Sequence, residues 1–116
     1  MRSVAIFQGS YFFLTGIWPL ISIDTFQKVT GPKTDLWLVK TVGSLIAVIG
    51  LVIFLAGLRG SVTIEVVVLG VCSCAALAAV DVNYSLRGVI SRIYLLDAVL
   101  EIALILLWVG SLAANR

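Results

Sequence analysis

Four long apolar stretches dominate this chain and leave room for little else. They run Ser3 to Ile23, Leu36 to Leu58, Ser61 to Val80 and Ile93 to Asn115, with lengths of 21, 23, 20 and 23 residues. A helix needs about 20 apolar residues to cross ~30 Å of hydrocarbon, so each stretch is long enough to span. Together they take 87 of the 116 residues. In lipid every backbone polar group must be satisfied within the protein, which restricts spanning structure to helices and closed barrels. Runs such as Leu45–Leu58 and Ile102–Val109 do not alternate, as barrel strands must. The expected fold is an all-α, integral-membrane four-helix transmembrane bundle forming a single domain over residues 1–116.

Composition agrees. Apolar residues make up 61%, charged residues 12%, and the mean hydropathy is +1.17, which excludes a water-soluble domain or a disordered tail. A net charge of +2 is too small and too scattered for nucleic-acid binding. Histidine is absent, and with it the commonest general base and metal ligand. No Cys/His cluster, nucleophile elbow or phosphate-binding glycine loop occurs, so no metal, cofactor or catalytic residue is assigned. Cys72 and Cys74 lie about 200° apart around a helix and read as small packing residues rather than a disulfide.

The first span starts after Arg2 like a signal peptide. It contains Gln8 and Pro19, however, and Ser22-Ile23-Asp24 is a poor cleavage site, so it is read as a retained helix. Four crossings put both termini and the Leu58–Ser61 connection on one face and the connections Asp24–Asp35 and Asp81–Arg92 on the other. Arg2, Arg59 and Arg116 face Lys28, Lys33, Arg87 and Arg92 across the membrane, a balance that leaves orientation undecided on charge. The common arrangement, with cytoplasmic termini, is adopted. Lys28, Lys33, Arg87 and Arg92 are candidate contacts for lipid phosphates or a partner. Trp18, Trp37, Tyr84 and Tyr94 suit an interfacial aromatic belt. Thr30-Gly31-Pro32 is turn chemistry, and Asp35 is placed to cap the second span.

An offset of 57 residues aligns Asp24 with Asp81, Gly31 with Gly88, Trp37 with Tyr94 and Lys40 with Asp97. This pattern fits two pseudo-repeated helical hairpins, although chance alone supplies some matches between leucine-rich helices. Helical spacing gives each span one polar or small-residue side. These sides are Gln8/Tyr11/Thr15/Trp18/Ser22, Trp37/Lys40/Gly43/Ala47/Gly50, Glu65/Leu69/Ser73/Ala76 and Tyr94/Asp97/Glu101/Leu104/Trp108. Gly43/Ala47 and Gly70/Cys74/Ala78 are small-xxx-small patterns suited to close helix contact. Pro19 removes a backbone donor, and a kink near Gly16 is expected.

Charges inside spans are functional candidates because insertion costs roughly 2.5–3.5 kcal/mol each at mid-membrane. Glu65 is shallow and has Arg59 nearby. Lys40 and Asp97 both lie about 6 Å inside their helices and Glu101 about 12 Å. Lys40, Asp97 and Glu101 are therefore read as a buried polar cluster, with Lys40 pairing the acids and joining the second and fourth spans. The alternative for Lys40 is snorkelling to the interface. Asp97 and Glu101, at i and i+4, repel when both ionise. The pair is expected to retain a proton, in a structural or a proton- or cation-binding role.

The run Thr30–Gly43, preceded by Thr-Gly-Ile-Trp-Pro-Leu (Thr15–Leu20) and followed by Ile93–Asp97, resembles a family of small, uncharacterised bacterial four-helix membrane proteins. The resemblance covers about half the chain. It implies a bacterial inner membrane and no particular activity. In size the chain is also similar to small multidrug-resistance transporters. Those carry an essential glutamate in the first helix, where this sequence has Gln8. The expected function is that of a non-enzymatic accessory, scaffold or assembly protein. Its partners would be membrane lipids and either further copies of itself or a larger membrane complex. The alternative is a small transporter or lipid- or ligand-binding protein using Lys40, Asp97 and Glu101. A closed, dry bundle would favour the first and a cavity reaching Glu101 the second.

Overall fold

The computed structural model describes residues 2–31, 35–90 and 92–114 and is all-helical, with no strand among them. Its elements are α1 (Arg2–Ile21), α2 (Ile23–Thr30), α3 (Leu36–Arg59), α4 (Ile64–Leu86) and α5 (Ile93–Ala114). α1, α3, α4 and α5 are each long and apolar enough to cross a membrane. Their outer surfaces carry large apolar side chains throughout, among them Trp37, Leu45, Val99 and Leu106. Gln8 and Glu101, by contrast, are 0% and 1% exposed. Polar groups inside and leucines outside suit a chain whose surroundings are apolar.

α1 and α3 run antiparallel in close contact along their length, and glycine makes this possible. Gly9 and Gly16 on α1 stand opposite Gly50 and Gly43 on α3, each pair seven residues apart, so both stripes keep facing one another. A methyl group at Gly43 would lie 2.6 Å from the Gly16 carbonyl oxygen, and one at Gly50 would lie 2.6 Å from the Phe13 nitrogen. The backbones themselves are in contact. α4 and α5 form the second antiparallel pair, and the two pairs touch sparingly. The molecule measures 46 × 28 × 17 Å, wider in one direction across the helices than in the other.

Helix ends differ from expectation in three places. Residues 24–30, expected as polar connection, join Ile23 from the end of the expected first span to form α2. Ser22 caps it by accepting from the Thr25 amide at 3.4 Å, and Trp18 donates its indole N–H to Thr25 Oγ1 at 3.0 Å. Phe26 stacks edge-on against Trp18, with ring centroids 5.3 Å apart. α4 continues past Val80 to Leu86, so Asp81 is a buried helical residue rather than the start of a connection. It starts at Ile64 instead of Ser61, with Thr63 as its cap. The two halves are consequently unequal, since the first connection holds a helix and the second does not. Asp35 occupies the cap position of α3, but its side chain makes no capping hydrogen bond. Leu38 and Val39 bond to its carbonyl instead. At the opposite end Arg2 donates to the Leu58 carbonyl at 3.0 Å, placing the start of α1 beside the end of α3.

Candidate functional site

Two polar groups occupy the interior, at different levels. The first is closed. Gln8 on α1 donates through Nε2 to the Gly70 carbonyl at 3.1 Å and to Ser73 Oγ at 3.4 Å. Its Oε1 accepts the indole N–H of Trp108 on α5 at 2.6 Å. Trp108 is fully buried, and Gly70 is small because the indole needs the space: a methyl there would lie 2.9 Å from it. One glutamine thus joins α1, α4 and α5, with its donor and acceptor both used.

The second group lies nearer the α2 end and is not closed. It brings together Asp81 on α4, Asp97 and Glu101 on α5, Tyr11 on α1 and Cys74 on α4. The Tyr11 hydroxyl donates to Asp97 Oδ1. Cys74 lies beside Glu101, and Asp97 lies close to both other acids. Asp81 and Glu101 are 5% and 1% exposed, yet Asp81 Oδ2 and Glu101 Oε2 receive no donor. Three carboxyls therefore meet around the Tyr11 hydroxyl, and no ion pair with a described basic side chain offsets them. Two unit charges about 4 Å apart repel by roughly 4 kcal/mol at an effective dielectric near 20. The cluster needs protons or a cation to balance it.

A cavity of about 670 Å³ opens onto these acids. α1 forms its back wall through Tyr11, Phe12, Thr15 and Pro19. α3 contributes Leu38, Val42 and Ile46, and α5 contributes Leu96, Leu100 and the two carboxyls. Phe26 and Thr30 of α2 line its upper end beside Tyr94, which is joined to Thr30 through their side chains. The cavity follows from the glycine packing. α3 is drawn so closely against α1 that it has no packed seam with α5, and the space between them stays open.

The residues singled out from sequence divide accordingly. Asp97 and Glu101 are together, as their i, i+4 spacing requires, on the inner side of α5. Lys40 does not join them: it is exposed on α3, and no ion pair to either acid forms among the described residues. The expected link between the second and fourth spans is thereby corrected, because the helix that α3 packs against is α1. Glu65, also exposed, sits in the first turn of α4, where a carboxylate is favoured by the helix dipole. Lys28, Arg87 and Arg92 are exposed around the α2 end, and Lys33 lies outside the described residues. The inward side of α4 is Val67/Gly70/Cys74/Ala78/Asp81/Ser85, rotated from the Glu65/Leu69/Ser73/Ala76 stripe.

Asp81 is the site residue that sequence reading passed over. It prolongs the Gly70/Cys74/Ala78 stripe by three residues, but as the first charge after an apolar run it was assigned to the connection. Among the described residues no group of three or more His, Cys, Asp or Glu is placed to hold a metal ion. Comparison with known proteins gives no matching family model, no similar curated protein and no similar solved structure.

Proposed function

We propose that this chain is an integral membrane protein, of the bacterial inner membrane by the resemblance above, that binds a small amphipathic ligand between α3 and α5. The observation that carries this reading is the cavity of about 670 Å³ whose floor is the Asp81/Asp97/Glu101 cluster. A scaffold needs packed helices and has no use for a gap of that size ending on buried acids. Ligand sites are concave, mostly apolar and equipped with a few convergent polar groups. The cavity meets each requirement, and its mouth lies on the apolar outer surface between two candidate spans. A ligand would reach it from the bilayer, its apolar part against Val42, Ile46 and Leu100 and its polar part at the acids. Lys28, Arg87 and Arg92 remain available to lipid phosphates around the α2 end.

The test fills the cavity without touching the acids. The native protein and the Val42→Trp/Leu100→Trp variant, both in lipid nanodiscs, are titrated with Nile red, and small molecules retained after mild-detergent purification are identified by native mass spectrometry. Saturable binding or a retained ligand in the native protein, lost in the filled variant, supports the reading. Identical behaviour of the two proteins overturns it.

A further inference from the structure

We propose that the ligand of this cavity is an organic monocation, a protonated amine on an apolar body, with its charge held at the Asp81/Glu101 end. This rests on the ligand-binding reading above and adds the chemical class. The first support is the charge count. Three carboxyls converge, Tyr11 supplies only a neutral hydrogen bond, and Lys40, the cation nearest in sequence pattern, is exposed. An anion would add to the repulsion among the acids, whereas an organic cation can take the place of the protons that otherwise balance them. The second support is the pair of unused acceptors. Asp81 Oδ2 and Glu101 Oε2 are buried and receive no donor, whereas a protonated amine brings as many as three N–H donors at one point. Charge-assisted hydrogen bonds of this kind are roughly twice as strong as neutral ones.

Cavity size and lining select an organic cation over a bare ion. A space of about 670 Å³ is many times the volume of a metal ion, and beside Thr15, Thr30, Asp35 and Tyr94 its walls are mostly apolar, with Leu38, Val42, Leu96 and Leu100 among them. No metal-binding group of three acids, cysteines or histidines is placed there among the described residues. Aromatic rings complete the fit: Tyr11, Trp18 and Phe26 border the cavity and offer their faces and edges to a nitrogen cation or to an aryl group.

The test compares three probes of one shape and different charge: phenylbutylammonium, phenylbutanol and phenylbutyrate. Each is titrated calorimetrically into the full chain in phosphatidylcholine nanodiscs, whose zwitterionic surface does not itself select for charge. The expected result is binding of the ammonium at least about tenfold tighter than the alcohol or the carboxylate. In the Asp81→Asn/Glu101→Gln variant that preference falls to about threefold or less while alcohol binding persists. Leu100→Trp weakens the ammonium and the alcohol together. If native protein binds the alcohol as tightly as the ammonium, the cation assignment is overturned and the cavity reading stands. If no probe binds and Leu100→Trp changes nothing, both are overturned. The comparison on native protein decides even where a variant does not fold.

Discussion

The indole N–H of Trp108 meets Oε1 of Gln8 at 2.6 Å, across the interior from α5 to α1. Both side chains are wholly buried, and with the Gly70 carbonyl this contact ties the two helical pairs together, as Tyr11 and Asp97 also do. Its removal strands the indole N–H of Trp108, while the Gly70 carbonyl keeps the Ser73 hydroxyl as donor. Gln8→Leu is expected to destabilise the protein by about 1–2 kcal/mol, since a buried donor left unpaired costs ~1–3 kcal/mol and interhelical bonds in membranes lie at the low end. In a Trp108→Phe background the same substitution should cost less than half as much. Reversible denaturation in mixed micelles, run as a double-mutant cycle, measures the difference; equal costs in both backgrounds would show that the contact carries no energy.

Glycine packing between α1 and α3 gives a second expectation. Gly50→Ala sets a methyl 2.6 Å from the Phe13 nitrogen, so the helices must separate, at about 1–3 kcal/mol for such overpacking. Gly110→Ala meets nothing within 4 Å and should be neutral or stabilising by up to ~1 kcal/mol through helix propensity. The two substitutions are chemically identical, and thermal unfolding that ranked them the other way would contradict the packing described.

Lys40 is expected to be uncoupled from the acids. Lys40→Ala should change stability by less than about 0.5 kcal/mol, as for an exposed residue with no partner. It should cost the same whether or not Asp97→Asn and Glu101→Gln are present. A coupling above ~1 kcal/mol in that comparison would restore the discarded ion pair.

On the proposed membrane reading, four crossings would place α2 and the α3–α4 connection on opposite sides. Single cysteines at Lys28 and at Ser61, in a Cys72→Ala/Cys74→Ser background, should react with a membrane-impermeant maleimide from opposite sides of sealed vesicles. Reaction of both from one side would exclude this topology.

The four long helices were legible because their signal is composition over length, which tertiary context rarely overrides: about 20 apolar residues in a row have few other fates. The inner side of α5 was legible for a similar reason, since Tyr94, Asp97, Glu101, Leu104 and Trp108 repeat at helical spacing around a surface otherwise leucine-rich. The helix partners were not. Depth placed Lys40 level with Asp97, but depth says nothing about which helices adjoin. That was decided by the matching seven-residue glycine spacings of α1 and α3, visible in the sequence only when the two helices are set antiparallel. Asp81 was hidden by its own charge, because a carboxylate at the end of an apolar run reads as the start of solvent. Its neighbours Gly70, Cys74 and Ala78 show the helical stripe that it continues. α2 was missed because eight mostly polar residues carry no length signal.

The central claim, a cavity open to the bilayer and ending on buried acids, is tested most directly by carbodiimide labelling read by intact-protein and peptide mass spectrometry. Dicyclohexylcarbodiimide, which partitions into lipid, should modify Glu101 or Asp81 in membranes, whereas a water-soluble carbodiimide should not. Val42→Trp/Leu100→Trp should protect both residues while leaving the exposed acids, Asp24 and Glu65, as reactive toward the water-soluble reagent as before. Absence of labelling at Glu101 and Asp81 by the lipid-soluble reagent, or labelling unaffected by the filled cavity, would contradict the account.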